Sequence, residues 1–190
     1  MMQAPIVVDP SRWIRVPVDF AGERWDDAGA WADWVAHAAV PGDEQRRGSI
    51  RAIALAIAEL DPHDAVVRYW HFPDDGEPGP ALDVTLAVTE SGALLPEPPE
   101  SLVVEPLEES IDVPGFERAA RRRSLVPVGN SGTDTAPVLA LVEWAASVDG
   151  IVVGMTAADT DPARLSRLVV DGDALLAGLD GRALARMVAP

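Results

Sequence analysis

Apolar and polar positions are patterned most plainly between residues 136 and 158, where the only charges are Glu143 and Asp149 and an Asp149-Gly150 pair divides two apolar runs. Asp-Gly supplies the positive φ angles that a two-residue type I′ turn needs, so the pattern predicts a β-hairpin. With Val148 opposite Ile151, one face collects Val142, Trp144, Ala146, Val153, Met155 and Ala157. The other face carries Leu141, Glu143, Ala145, Ser147, Val152, Gly154, Thr156 and Ala158. The first face demands large apolar partners. The second is mostly small or polar, allows a close approach, and is the better candidate for any partner that uses the sheet.

The same reading places the other elements. Residues 13–20 alternate as an edge strand, where Pro17 costs least. A helix follows from Asp26 or Asp27 to about Ala39, with Trp31, Trp34, Val35 and Ala38 at helical spacing and Pro41-Gly42 as a stop. A second helix over 43–60 puts Ile50, Ile53, Ala54, Ile57 and Leu60 on one side. Residues 65–72 and 81–89 read as strands around a turn-rich stretch containing Asp74, Asp75 and Gly76. Residues 90–111 are acidic and proline-broken, which predicts a loop with one short strand near Leu102-Val103-Val104. An extended 118–128 precedes the hairpin, making a three-strand meander. Asp161 caps and Pro162 starts a further helix, which Asp171-Gly172-Asp173 should break or kink. A last helical segment carries Leu175, Leu176 and Leu179, extending to Leu184 and Met187, weakened by Gly178 and Gly181. The fold class expected is α+β, one domain over 1–190: a mainly antiparallel sheet of about six strands with helices packed on it as a helix–sheet–helix sandwich.

Composition narrows the chemistry. The 190 residues include no cysteine and a net charge of -16, from 31 acidic and 15 basic residues. Thiolate chemistry and disulfides are excluded, and such a charge repels phosphate backbones, so nucleic acid is not expected as a partner. No signal-like segment is visible at the start and no run is long enough to span a bilayer, which gives the expectation of a cytoplasmic protein without membrane insertion.

Candidate sites are few. His63 and His71 lie near Asp61, Asp64, Asp74 and Asp75, but the spacing matches no metal-ligand motif and these residues serve equally as helix end and turn. His37 falls at a helix C-terminal end, where a cation is mildly favoured. Gly129-Asn130-Ser131-Gly132 superficially resembles a glycine-flanked nucleophile, yet all three histidines lie before residue 72, so a connecting loop is the better reading. Acidic pairs such as Asp26-Asp27 and Glu108-Glu109 read as solvated surface. Arg118, Arg121, Arg122 and Arg123 form the one basic cluster. In a strand, Arg121 and Arg123 face one way and Arg118 and Arg122 the other, which favours intramolecular pairing over an anion site. Trp31, Trp34 and Trp144 fit core stripes, while Trp13, Trp25 and Trp70 are either core or exposed anchors. No catalytic, cofactor-binding or metal-ligating residue, and no cofactor, is assigned.

The run Trp13-Ile14-Arg15-Val16-Pro17-Val18, followed by two helices, then Arg121-Arg122-Arg123, the hairpin and a leucine-rich end, resembles a loose group of actinobacterial proteins. Their implied architecture is similar to the PsbP-like α-β-α sandwich. The resemblance covers most of the chain in element order and implies a binding or accessory role, with some members linked to secretion or the cell envelope. The leading expectation is therefore a non-enzymatic accessory module that binds another protein. The alternatives are an acidic immunity or inhibitor protein acting on a basic target, and a small-ligand carrier or enzyme with a pocket beside the sheet near Trp70 and His71.

Overall fold

A computed structural model describes residues 8–73, 76–88, 93–128 and 137–188, the last four by their backbone alone. The chain forms β1 (Trp13–Val16), α1 (Ala28–Ala39), α2 (Glu44–Ala58), β2 (Ala65–His71), β3 (Ala81–Val88), β4 (Leu107–Ser110), β5 (Arg118–Pro127), β6 (Val138–Val148), β7 (Ile151–Asp159), α3 (Pro162–Ala177) and α4 (Gly181–Val188). The strands make one antiparallel sheet in the order β1-β2-β3-β7-β6-β5-β4.

The sheet carries a core on each face. Trp13, Tyr69, Leu82, Val142, Trp144 and Met155 pack with α3 and with Leu184 of α4 on one side. Val16 and Trp70 pack with Trp31, Val35 and Ala36 of α1 and Ile50, Ala54 and Ile57 of α2 on the other. Strand alternation produces this division within β2, where adjacent Tyr69 and Trp70 serve opposite cores. The architecture is the expected α+β helix–sheet–helix arrangement, with seven strands among the described residues where about six were expected.

The hairpin register is the expected one: Val148 pairs with Ile151, Glu143 with Thr156 and Trp144 with Met155. Asp149 and Gly150 both hold positive φ, 50° and 78°, as the type I′ turn requires. Helix starts also follow the sequence signals, since the side chains of Asp27, Asp43 and Asp161 accept bonds from the backbone N–H of Ala30, Arg46 and Ala163.

Four expectations need correction. The short strand of the proline-broken segment is Leu107–Ser110, not 102–104. There the Glu109 carboxylate finds Arg121 and Arg123, whereas Val103 and Val104 are exposed. Trp34 does not belong to the buried stripe of α1. That stripe runs Trp31, Ala32, Val35 and Ala36, because two alanines let α1 lie close to Ala54 of α2. On α2, Ile53 and Leu60 are exposed. Finally, Asp171-Gly172-Asp173 neither breaks nor kinks α3, which runs unbroken from Pro162 to Ala177.

The contacts of Asp171-Gly172-Asp173 show why. A Cβ on Gly172 would lie 2.7 Å from Cζ2 of Trp144, so the glycine is what lets the helix rest on the indole ring. Asp173 accepts a hydrogen bond from Trp144 Nε1 at 2.7 Å, and Asp171 accepts two from Arg12 Nη1 at 2.9 Å. A glycine between two aspartates looks like a helix stop in sequence; here it is a docking device.

Candidate interaction site

Between β1 and α1 the chain turns sharply. Asp19 accepts the backbone N–H of Ala21, and Glu23 pairs with Arg15 of β1 at 3.0 Å. These ties present Arg24 and Trp25 against the outer side of α1. The Trp25 and Trp34 rings meet with centroids 5.1 Å apart, tilted by 50°. The Arg24 guanidinium lies over both, its Cζ 4.4 Å from the Trp25 centroid and 4.1 Å from that of Trp34. Each such contact is worth about 0.5–1 kcal/mol at an exposed site. Trp34 is 43% exposed, and beside it opens a hollow of about 400 Å³ lined by Ile14, Val35, Ala38, Phe72 and Pro73. Val35 of the second core forms the hollow's floor and Ile14, Trp25 and Phe72 pack against that core, while Trp34 stands outside it.

Charge sharpens its character. Residues 19–44 hold seven acidic side chains, Asp19, Glu23, Asp26, Asp27, Asp33, Asp43 and Glu44, against Arg24 alone. Asp33 accepts a hydrogen bond from Arg51 Nε at 2.5 Å, which holds its carboxyl below the usual range. Glu23 is paired with Arg15 and Asp33 with Arg51, so the site is an aromatic and apolar patch beside a segment whose remaining charge is acidic.

Other candidates resolve differently. Trp13 and Trp70, weighed as exposed anchors, are buried, while Trp25 is half-buried. His37 is exposed, its Nδ1 2.8 Å from the Asp33 carbonyl. His63 and His71 stand before and at the end of β2 and do not converge: His63 is exposed beside Asp61, whereas His71 is buried and bonds Asp171 through Nε2 at 2.8 Å. Asp74 and Asp75 lie outside the described residues, as does the Gly129-Asn130-Ser131-Gly132 loop. Among the described residues no group of His, Asp or Glu is placed to hold a metal ion, and no helix is long and apolar enough to cross a membrane. The arginine cluster is split as its alternation predicts. Arg121 pairs with Glu109 and Asp173, and Arg123 with Glu109; Arg122, on the opposite face, bonds Glu143 at 2.9 Å and the Pro96 carbonyl at 2.8 Å. The small-residue face of the hairpin is therefore partly covered: Glu143 and Ala145 are buried, while Thr156 is exposed.

Trp70 and His71, expected beside a ligand pocket, are themselves buried and bonded within the chain. Trp70 donates Nε1–H to the Gly79 carbonyl, and His71 is enclosed by Trp13, Asp171 and Gly79. A further buried arginine, Arg68, bonds Asp83 and the carbonyls that end α2. Each of these polar groups is spent on another part of the chain.

No family model, curated protein or solved structure matches this sequence. The site must therefore be read from its own chemistry. Sequence reasoning missed Arg24 and misplaced Trp34, and both errors have one cause: the buried stripe of α1 is rotated by about one residue, roughly 100° of helix, from the stripe that the tryptophans alone suggest. The signal available was the Ala32/Ala36 pair, which marks close helix–helix contact.

Proposed function

We propose that this chain is a non-enzymatic accessory module that binds another protein, and that the partner docks on the α1 face. The observation that carries this reading is the exposed Trp34, paired with half-buried Trp25 beside an apolar hollow, aromatic surface of the kind enriched at interface centres. Its acidic surround favours a basic partner through charge complementarity. The same surround supports a second reading, an acidic immunity or inhibitor protein that covers a basic target. The layering of helices on both faces of one antiparallel sheet supports the PsbP-like resemblance at the level of fold.

A photo-crosslinking residue at Ala38, on the rim of the hollow, tests the reading in living cells of the native host. We expect one adduct of defined mass that is absent when the crosslinker stands at Val170, which is exposed on α3. Adducts of equal yield at both positions, or none at position 38, would overturn it.

A further inference from the structure

We propose that the cleft between Trp25 and Trp34 is a recognition site for an arginine side chain of the partner, and that Arg24 is its resident placeholder. The inference rests on the docking reading above and names the chemistry of the occupant.

Three observations combine. First, the two indole rings are tilted by 50° rather than stacked, with centroids 5.1 Å apart, leaving both faces available to one planar cation. Second, Arg24 lies within 4.4 Å of both centroids, so the cleft demonstrably fits a guanidinium. Third, Arg24 makes no ion pair or hydrogen bond among the described residues, although Glu23, Asp26 and Asp27 are its near neighbours in sequence. In a chain with 31 acidic residues, a guanidinium held by rings instead of carboxylates marks the rings as a good cation site.

Arg24 itself is exposed and sits on an irregular segment before α1, so it can leave without disturbing either core. Once it swings out, a guanidinium from the partner can take its place while a neighbouring apolar side chain of the partner enters the hollow beside Trp34. The acidic surround would concentrate arginine-rich segments at the cleft. Arg24 then acts as a built-in competitor: it protects the two tryptophans in the isolated protein and sets a threshold that neutral or acidic segments do not pass. Arginine rather than lysine is specified because the resident cation that reaches both rings is a guanidinium, broader and more weakly hydrated than an ammonium.

The test uses the full-length protein and two short peptides, one alternating arginine and glycine, the other with citrulline in place of arginine. Binding is followed by tryptophan fluorescence and by the NMR signals of the Trp25 and Trp34 indole N–H groups. We expect the arginine peptide to shift both indole signals and the citrulline peptide to shift neither. Arg24→Gln should tighten binding about fivefold, the loss of a competitor worth one exposed cation–π contact or somewhat more. Trp34→Ala should abolish it. Arg51→Gln removes the same charge from the same acidic surface but leaves the cleft filled, so it should change affinity by less than about twofold, as for other exposed pairs. Equal effects of Arg24→Gln and Arg51→Gln would show general charge attraction and overturn the inference, as would indole signals that do not move. An adduct at position 38 in cells together with those results would remove this inference alone. Loss of that adduct would remove the docking reading beneath it.

Discussion

Arg68 has each of its guanidinium nitrogens engaged: Nε and Nη2 on Asp83 at 2.5 and 2.8 Å, Nη1 on the Ile57 and Leu60 carbonyls at 3.0 and 2.8 Å, and Nη2 also on the Asp61 carbonyl at 3.1 Å. The carbonyls at a helix C-terminus have no partner within the helix, and a buried one left unbonded is costly. One side chain on β2 thus closes α2 and ties it to the sheet. Its side chain is only 2% exposed, so substitution strips Asp83 of its buried cation and the Leu60 and Asp61 carbonyls of a donor, while the Ile57 carbonyl keeps the Leu60 N–H at 3.3 Å. We expect Arg68→Ala to lower the unfolding free energy by about 3 kcal/mol, the low end for breaking a buried charged pair because Asp83 keeps some contact with water. Arg68→Met restores volume but no donors, so most of the loss should persist in urea unfolding. Full recovery by methionine would show that packing, not hydrogen bonding, is what Arg68 supplies. An arginine inside an otherwise apolar strand was the visible signal in the sequence. What it bonds was not visible, because the carbonyls of residues 57 to 61 meet it only after α2 has folded back onto β2.

At the scale of elements, α3 depends on its glycine. Alanine at position 172 would favour the isolated helix by about 1 kcal/mol, yet its Cβ would sit 2.7 and 3.0 Å from two ring atoms of Trp144. That ring cannot easily retreat, because its Nε1 is bonded to Asp173 on the same helix. Overpacking of this kind costs about 1–3 kcal/mol, so Gly172→Ala should destabilise by about 1 kcal/mol net. In a Trp144→Phe background, where the ring is smaller and the bond to Asp173 is gone, the same substitution should be neutral or stabilising; an unchanged penalty in that double-mutant cycle would sink the account. The contrast with the hairpin shows what the sequence could disclose. Turn chemistry and two-residue alternation are local, so Asp149-Gly150 fixed the register of β6 and β7 before any tertiary contact was known. The Asp171-Gly172-Asp173 run was legible only as a local breaker, since its purpose lies on β2, β5 and β6. Trp34 failed for the same reason: helical periodicity predicted a stripe, but which edge of the stripe turned inward was decided by Ala54 on a different helix.

The whole molecule carries a net charge of -16, and its two cores must hold a single sheet together against that self-repulsion. Opposing it are ion pairs such as Glu109 with Arg121 and Asp33 with Arg51. Hydrogen bonds from those arginines, helped by the charges of Arg123 and Arg51, hold the Glu109 and Asp33 carboxyls below their usual range. Because the folded values are depressed, the stabilisation from these pairs is fully present above the ordinary carboxylate range and is lost only as pH falls through the folded values. At neutral pH both effects therefore act at full strength, and salt weakens both. The balance can be decided by magnitude. Exposed pairs contribute little to stability, and the strongest polar ties, Arg68 with Asp83 and Arg122 with Glu143, are shielded by burial of their arginines and screened little. The uncompensated carboxylates are spread over the surface, where screening is effective. Adding sodium chloride at neutral pH should therefore raise the urea midpoint of unfolding, and the gain should shrink as mild acid lowers the net charge. A midpoint that falls with salt would mean that the surface pairs around Glu109 and Asp33 outweigh the repulsion. It would also weaken the case that the acidic surround of α1 is held for a basic partner rather than for the fold.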